Sequence, residues 1–347
     1  MKQISLTRLI MRVPPPGPVD GGNGLCLVIG MGFLFIPESS DRCGVTWELL
    51  PHVSRTFALT IPVLEEPLRD QVAIAYLLCR IADTIEDAED IPGRIRGELF
   101  EALLELIEHP ALAESRTRLQ AAWCGRVDPY HQELMERSGE VLEAYSRLPG
   151  SAQDAIAVCL REMVPGMVGF LEHRPLQNGH HRPCRTVEEL EAYCHVVAGT
   201  VGILLTRLFS GELGTPWATP LRYEEGRRFG LGLQITNVLK DAEGDRRRGV
   251  SYLPNDPAAL IPLAISHLDQ AQRYALSIPR SRPDMRLFCV WACHLALATL
   301  ARIARREPGK VPRPEMAMLL EGSRASIADD AGLETLYREL RDRVVAG

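Results

Sequence analysis

From about residue 48 onward, apolar positions recur at helical spacing almost without a break, and period-two runs between turn residues are nearly absent. Val72, Ala75, Tyr76, Cys79 and Ala82 form a 3.6-period stripe that predicts a helix over 68–87. The same reading places helices at about 94–108, 115–147, 151–174, 186–211, 221–245, 256–277, 284–306, 312–327 and 329–345. Pro92-Gly93, Pro149-Gly150, Gly214 to Pro220 and Pro308-Gly309 punctuate them. The polar stretch Gln177 to Arg185 has no period and reads as a loop. The pattern as a whole predicts an all-α chain, a single-domain helical bundle over residues 46–347. Two segments, Ala192 to Phe209 and Ala292 to Ile303, are apolar on every side, which places them in the middle of a bundle or along an apolar cavity.

The N-terminus differs. Residues 13–24 are rich in proline and glycine, and the apolar run Leu25 to Ile36 that follows is interrupted by Gly30 and Gly32. That run is shorter than the roughly 20 apolar residues a membrane span needs. The proline-rich insert and the missing small-residue cleavage site argue against a signal peptide. Residues 1–45 therefore read as a disordered N-terminal extension. The net charge of -6 argues against a nucleic-acid binder, which carries an overall basic excess, and leaves room for a local basic pocket. Nine cysteines, an odd number at irregular spacing and without a CxxC pair, exclude a disulfide framework and suggest a reducing cytoplasm. His180, His181 and Cys184 lie close together, as do Cys289, Cys293 and His294, but neither group has a second half at zinc-site spacing.

The chemistry is carried by two acidic motifs. In the first, Asp83 and Asp87 stand at i and i+4 on one helix face, with Glu86 beside them and Arg80 one turn earlier. Carboxylates so close repel one another unless a cation lies between them, and Mg²⁺ takes a few carboxylates together with substrate phosphate oxygens. Alone, such a cluster reads more readily as a solvated helix end. In the second motif, Asn237, Asp241 and Asp245 repeat the four-residue spacing, with Gln234 one turn before and Lys240 beside Asp241. Two such faces, with Arg55, Arg80 and Lys240 nearby, suit a diphosphate whose leaving charge must be neutralised.

Taken together the motifs resemble the squalene/phytoene synthase family, and its squalene synthase branch in particular. The pieces are Ser54-Arg55-Thr56-Phe57-Ala58, Tyr76-x-x-x-Arg80-x-x-Asp83-Thr84-x-Glu86-Asp87, and Met163-x-x-Gly166-Met167-x-x-Phe170. They continue with Tyr193-Cys194-His195, Gly199 and Gly202, then Gln234-x-x-Asn237-x-x-x-Asp241-x-x-x-Asp245, and end at Phe288-Cys289. The resemblance implies the class I isoprenoid synthase fold. It implies head-to-head condensation of two farnesyl diphosphates to presqualene diphosphate, followed by reduction to squalene with NADPH.

Carried over residue by residue, the resemblance implies that Asp83, Glu86, Asp87, Asp241 and Asp245 hold Mg²⁺ and diphosphate. Ser54, Arg55, Arg80, Gln234, Asn237 and Lys240 would grip the diphosphates, and Phe57, Met163, Met167, Val201 and Phe288 would line an apolar tunnel. Tyr193 would take the proton lost in cyclopropane formation, supported by Tyr76 and Arg80. The apolar product implies transient contact with a membrane surface by a cytoplasmic protein, and a monomer is expected.

The chain departs from the family pattern at Gly244, where an acidic residue is usual, and at Lys240, where arginine is usual. It departs again at Val250, where squalene synthases carry an arginine near NADPH, and at Ala292 and Cys293, where proline and glutamine are common. These departures leave open a product short of squalene: presqualene diphosphate, hydroxysqualene, dehydrosqualene or, with a longer substrate, phytoene. Gly244 also leaves open a catalytically silent scaffold partner in lipid synthesis.

Overall fold

The computed structural model describes residues 24–29, 32–37 and 44–347, apart from Arg55, Ala122, Cys124, 173–175, 178–179 and 256–258. Among the described residues, helices dominate. Strands β1 (Gly24–Ile29) and β2 (Gly32–Pro37) pair antiparallel, with Leu25 opposite Ile36. They lie inside the stretch expected as an extension, and residues 1–23 of that stretch fall outside the described residues.

The bundle begins with α1 (Gly44–Val53), α2 (Phe57–Thr60), α3 (Leu68–Asp87) and α4 (Gly93–Glu108). The sequence pattern predicts one helix over 115–147. The structure divides it into α5 (Ala113–Gln120), α6 (Pro129–Glu136) and α7 (Ser138–Ser146). Gly125 takes φ +70° in the first break, and Asp128 then caps α6 ahead of Pro129 by accepting the Tyr130 and His131 amides.

Next comes α8 (Gly150–Glu172), followed by a two-residue pair, β3 (Leu176–Gln177) and β4 (His180–His181), where a loop was expected. The long apolar helix expected over 186–211 is α9 (Val187–Cys194), a π-turn (His195–Gly199) and α10 (Thr200–Leu213) in succession. Thr186 starts it by accepting the Glu189 amide at 3.2 Å. Thr219 caps α11 (Pro220–Arg247) in the same way, with Pro220 at the first helical position. The chain ends with α12 (Leu260–Ser277), α13 (Pro283–Ala304), α14 (Arg313–Ala325) and α15 (Asp330–Val345).

The two all-apolar segments take central places. Helix α13 is buried almost continuously from Asp284 to Ala301 and packs on α11, α12, α14 and α15. Helix α10 packs on α3, α8 and α11, so both aspartate-bearing helices, α3 and α11, rest on it. The stretches Val187–Leu213 and Pro283–Ala304 are long and apolar enough to cross a membrane, whereas the sequence pattern offers only the short N-terminal run as a candidate. Their apolarity is used inside the bundle: the first is about half buried there and the second is 83% buried. Each fully buried leucine, such as Leu297, contributes about 2 kcal/mol.

Glycines set how closely α11 approaches α10 and the π-turn before it. A Cβ on Gly202 would lie 1.8 Å from the carbonyl oxygen of Gly226, and one on Gly230 would lie 2.0 Å from that of Ala198. Helix-interior glycine ordinarily costs about 1 kcal/mol relative to alanine, and here the close backbone approach is the return. Backbone oxygens cannot move aside as a rotamer can. Gly202→Ala is therefore expected to destabilise the fold by at least about 2 kcal/mol in denaturant melts. Gly211→Ala on the same helix meets no atom within 4 Å and is expected to be neutral or stabilising.

The last helix is held by charge. Arg286, 1% exposed, donates to the Ile278 carbonyl at 3.0 Å and pairs with Asp330, which Arg280 also contacts. The Arg280 and Arg286 bonds hold the Asp330 carboxyl below its ordinary pKa. A depressed folded-state pKa contributes stability above the unfolded value and loses it as pH falls through the folded one. The α13–α15 contact is thus expected to weaken below about pH 4. Asp330→Asn should flatten the acid limb of a melting-temperature profile; an unchanged limb would refute the assignment.

Candidate active site

The site grows from the short gap between α1 and α2. Ser54 accepts the Phe57 amide on its Oγ at 3.0 Å and fixes the entry to α2. Arg55 lies outside the described residues. The Phe57 ring then stands 5.1 Å from Tyr76 and 6.4 Å from Phe288, joining α2 to α3 and α13. The Tyr76 hydroxyl donates to the Val53 carbonyl at 3.2 Å and accepts from Arg80 Nη2 at 2.8 Å. Arg80 pairs on its other side with Asp83. Burial opposes the Arg80 charge, and Asp83 and Tyr76 outweigh it, so the guanidinium stays charged. The helical spacing of Tyr76, Arg80 and Asp83, four residues and then three, is thus realised as one continuous bonded row.

Glu86 is buried at 1% exposure, whereas Asp87 at the end of the same helix faces solvent. Tyr193, 5% exposed on α9, falls within their electrostatic reach. Its pKa is raised well above the usual phenol value, first by burial and then by the charge of Glu86, with Tyr252 and Asp87 adding to it. The neutral phenol is therefore the form present at neutral pH. Phe170 meets the Tyr193 ring edge-on at 5.3 Å, and Tyr252 stacks on it at 4.9 Å. Sequence periodicity did not point to Tyr252, because it stands in the connection after α11 and belongs to no helical stripe. A lone tyrosine between Ser251 and Leu253, close behind the second motif, was its only signal.

On α11, Gln234 is half-buried, and Asn237, Lys240 and Asp241 face solvent. Lys240 Nζ donates to Asn237 Oδ1 at 2.8 Å and lies 3.2 Å from Asp241 Oδ2. Asp245 is buried at 7% exposure and pairs with Arg248 at 2.5 Å. Burial pushes its carboxyl pKa up against the pull of Arg248, and the Asp241 charge adds to the rise. Arg247 pairs with Glu243, so two of the three arginines at this helix end are engaged with its own carboxylates. Gly244 has no atom within 4 Å of a built Cβ, so the missing acidic residue leaves open space and no packing defect.

The apolar residues separate into two groups. Phe57 and Val201 are partly exposed and packed on the core, together with Tyr76, Phe170, Leu205 and Leu233. Met163, Met167 and Phe288 are each 1% exposed and closed into the core.

The donors suit a hard divalent cation. They are carboxylate oxygens, and at Asp245 a cation would relieve a charge that burial and Asp241 disfavour. Among the described residues, no three His, Cys, Asp or Glu side chains could hold a metal ion by themselves. Oxygens from substrate or water would have to complete the shell, which is the habit of Mg²⁺. Val250 offers nothing comparable to NADPH. It is 5% exposed, bridges to His181 and gives its amide to the Asp245 carbonyl at 3.0 Å, so a buried apolar side chain occupies this position.

An all-α bundle in which two aspartate-bearing helices both rest on the helix following a buried tyrosine is the class I isoprenoid synthase architecture. A solved complex of TcSQS with the ligand BPH1237 shares it, with TM-score 0.71 and 26% identity over 88% of this chain and 96% of that one. The chain belongs to the squalene/phytoene synthase family, whose model matches residues 50–260, more than half of its length. It is 33% identical over 225 residues to a squalene synthase of Candida albicans, covering 63% of this chain and 46% of that protein. It is 28% identical over 211 residues to a presqualene diphosphate synthase of Botryococcus braunii, covering 60% and 47%. The chain thus spans about half the length of these curated relatives.

Proposed function

We propose that this chain is a prenyltransferase that joins two farnesyl diphosphates head to head to form presqualene diphosphate and, with NADPH as reductant, squalene. The observation that carries the first half is the placement of Tyr193. It is a buried neutral phenol beside Glu86 and Asp87, which follow the row Tyr76–Arg80–Asp83 on α3, and it is clamped between aromatic rings. In this reading Ser54, Arg55, Arg80, Gln234, Asn237 and Lys240 grip diphosphate oxygens. Asp83, Glu86, Asp87, Asp241 and Asp245 would hold Mg²⁺, which when bound neutralises the diphosphate as its C–O bond ionises. Partly exposed Phe57 and Tyr76 turn aromatic faces toward the isoprenyl chain, where a developing carbocation is stabilised. Tyr193 relays the departing proton: its hydroxyl oxygen accepts it as the hydroxyl gives its own proton to an oxygen of the released diphosphate, so the phenol ends neutral as it began. The apolar product favours peripheral contact with a membrane surface, and a monomer suffices for the site.

A second reading, in which the reaction ends at presqualene diphosphate, is favoured by Val250. Its buried apolar side chain does not fit a cofactor phosphate. Mass spectrometry of products from farnesyl diphosphate and Mg²⁺, with and without NADPH, separates the two. Squalene only with NADPH supports the full reading, and presqualene diphosphate under both conditions supports the shorter one. No C30 product, where a control enzyme succeeds, would sink both.

A further inference from the structure

The stack of Tyr252 on Tyr193 is close to parallel, with the planes 26° apart and the centroids separated by 4.9 Å. The Tyr252 hydroxyl also lies close enough to Tyr193 to help raise its pKa. Phe170 closes another side with its plane at 82° to the Tyr193 ring. Stacking fixes the plane of the phenol, the edge contact limits its swing, and the nearby Tyr252 hydroxyl gives the Tyr193 hydroxyl a polar neighbour.

Tyr252 is itself held from both directions. Gly249, at φ +84°, turns the chain after α11. The Val250 amide then donates to the Asp245 carbonyl at 3.0 Å. His181 donates to the Gly249 carbonyl at 2.8 Å, and Ser251 donates to the His181 carbonyl at 2.9 Å. Beyond Tyr252, the Arg182 guanidinium donates to the Leu253 carbonyl at 2.7 Å. The segment 249–253 is therefore a strap that starts on the second acidic motif and delivers one aromatic side chain onto Tyr193.

We infer that Tyr252 is a positioning residue for Tyr193: it holds the ring and hydroxyl of Tyr193 in register for proton acceptance and ties that register to Asp245. The inference rests on the reading above in which Tyr193 takes the proton. A proton acceptor must lie within hydrogen-bond reach of the proton it takes, and a misplacement of about 1 Å can cost on the order of 10²-fold in rate.

The test is a double-mutant cycle on the full chain with farnesyl diphosphate and Mg²⁺, scored by C30 product. Tyr252→Phe keeps the ring and removes the hydroxyl, and should lower kcat roughly tenfold with KM changed less than about twofold. Tyr252→Leu removes both and should lower kcat roughly 10²-fold. In a Tyr193→Phe background neither change should lower the residual rate further. Wild-type kcat in Tyr252→Phe, or equal losses with and without the Tyr193 hydroxyl, would overturn the inference.

A second readout needs no turnover and no leucine variant. In protein carrying [¹³Cζ]tyrosine, the Tyr193 resonance is assigned by its loss in Tyr193→Phe, and it should shift in Tyr252→Phe. An unchanged resonance refutes the positioning role. A wild-type chain that makes no C30 product refutes the functional reading and leaves this measurement standing.

Discussion

Asp83→Ala is expected to reduce turnover of farnesyl diphosphate by at least roughly 10³-fold while leaving the helical fold intact. The magnitude follows from what the carboxylate would do. Cation neutralisation of a departing diphosphate is worth several kcal/mol, and about 4 kcal/mol corresponds to roughly 10³ in rate. The fold should survive because the Arg80–Asp83 pair is a partly exposed contact one helical turn apart, of the kind that contributes about 0–1 kcal/mol. Arg80 would also keep its bond to Tyr76. Pyrophosphate release at raised Mg²⁺, with circular dichroism on the same samples, checks both halves. Turnover near the wild-type level would exclude Asp83 from the metal site. Asp83→Asn keeps the shape and removes the charge, and is expected to behave like alanine, since Mg²⁺ selects for carboxylate charge.

Tyr193→Phe is expected to lower C30 product formation by roughly 10²–10³-fold, the range for loss of a positioned acid–base group. Ionisation of the first diphosphate should change far less, because the carboxylates and Arg80 remain. The two steps part company in a single assay: pyrophosphate release continues, and farnesol or other quenched monomeric products replace the C30 product. Stability should hardly move, because phenylalanine keeps the contacts to Phe170 and Tyr252. Parallel losses in both steps would mean that Tyr193 shapes the site without taking a proton. The raised pKa also sets a pH expectation. Burial and the Glu86 charge keep the phenol neutral beyond the ordinary tyrosine range, so Tyr193 ionisation should leave no inflection in the rate profile up to about pH 10.

Much of this was written locally in the sequence. The all-α class followed from the helical period, and helices such as 68–87 and 284–306 came out within a residue or two of α3 and α13. The row Tyr76, Arg80, Asp83 was legible because residues three and four apart on a helix are neighbours whatever surrounds them. The all-round apolarity of Ala292 to Ile303 announced a central helix, and α13 is one. The long helix over 115–147 failed for a local reason that was present but underweighted: Gly125 and the Asp128-Pro129 cap break it.

What the sequence by itself determined is therefore the content of single helices: which residues share a face, where the carboxylates and Arg80 stand, and that the chain is an all-α bundle. Only the tertiary structure decided what passes between helices. It put Tyr193 beside Glu86, closed Met163, Met167 and Phe288 into the core, brought α11 to backbone contact with α10 at Gly202 and with the preceding π-turn at Gly230, and laid Tyr252 on Tyr193. The reason is physical. Periodicity records the direction a side chain takes from its own helix axis, and carries no record of how far away the next helix lies or what a connecting segment sets against it.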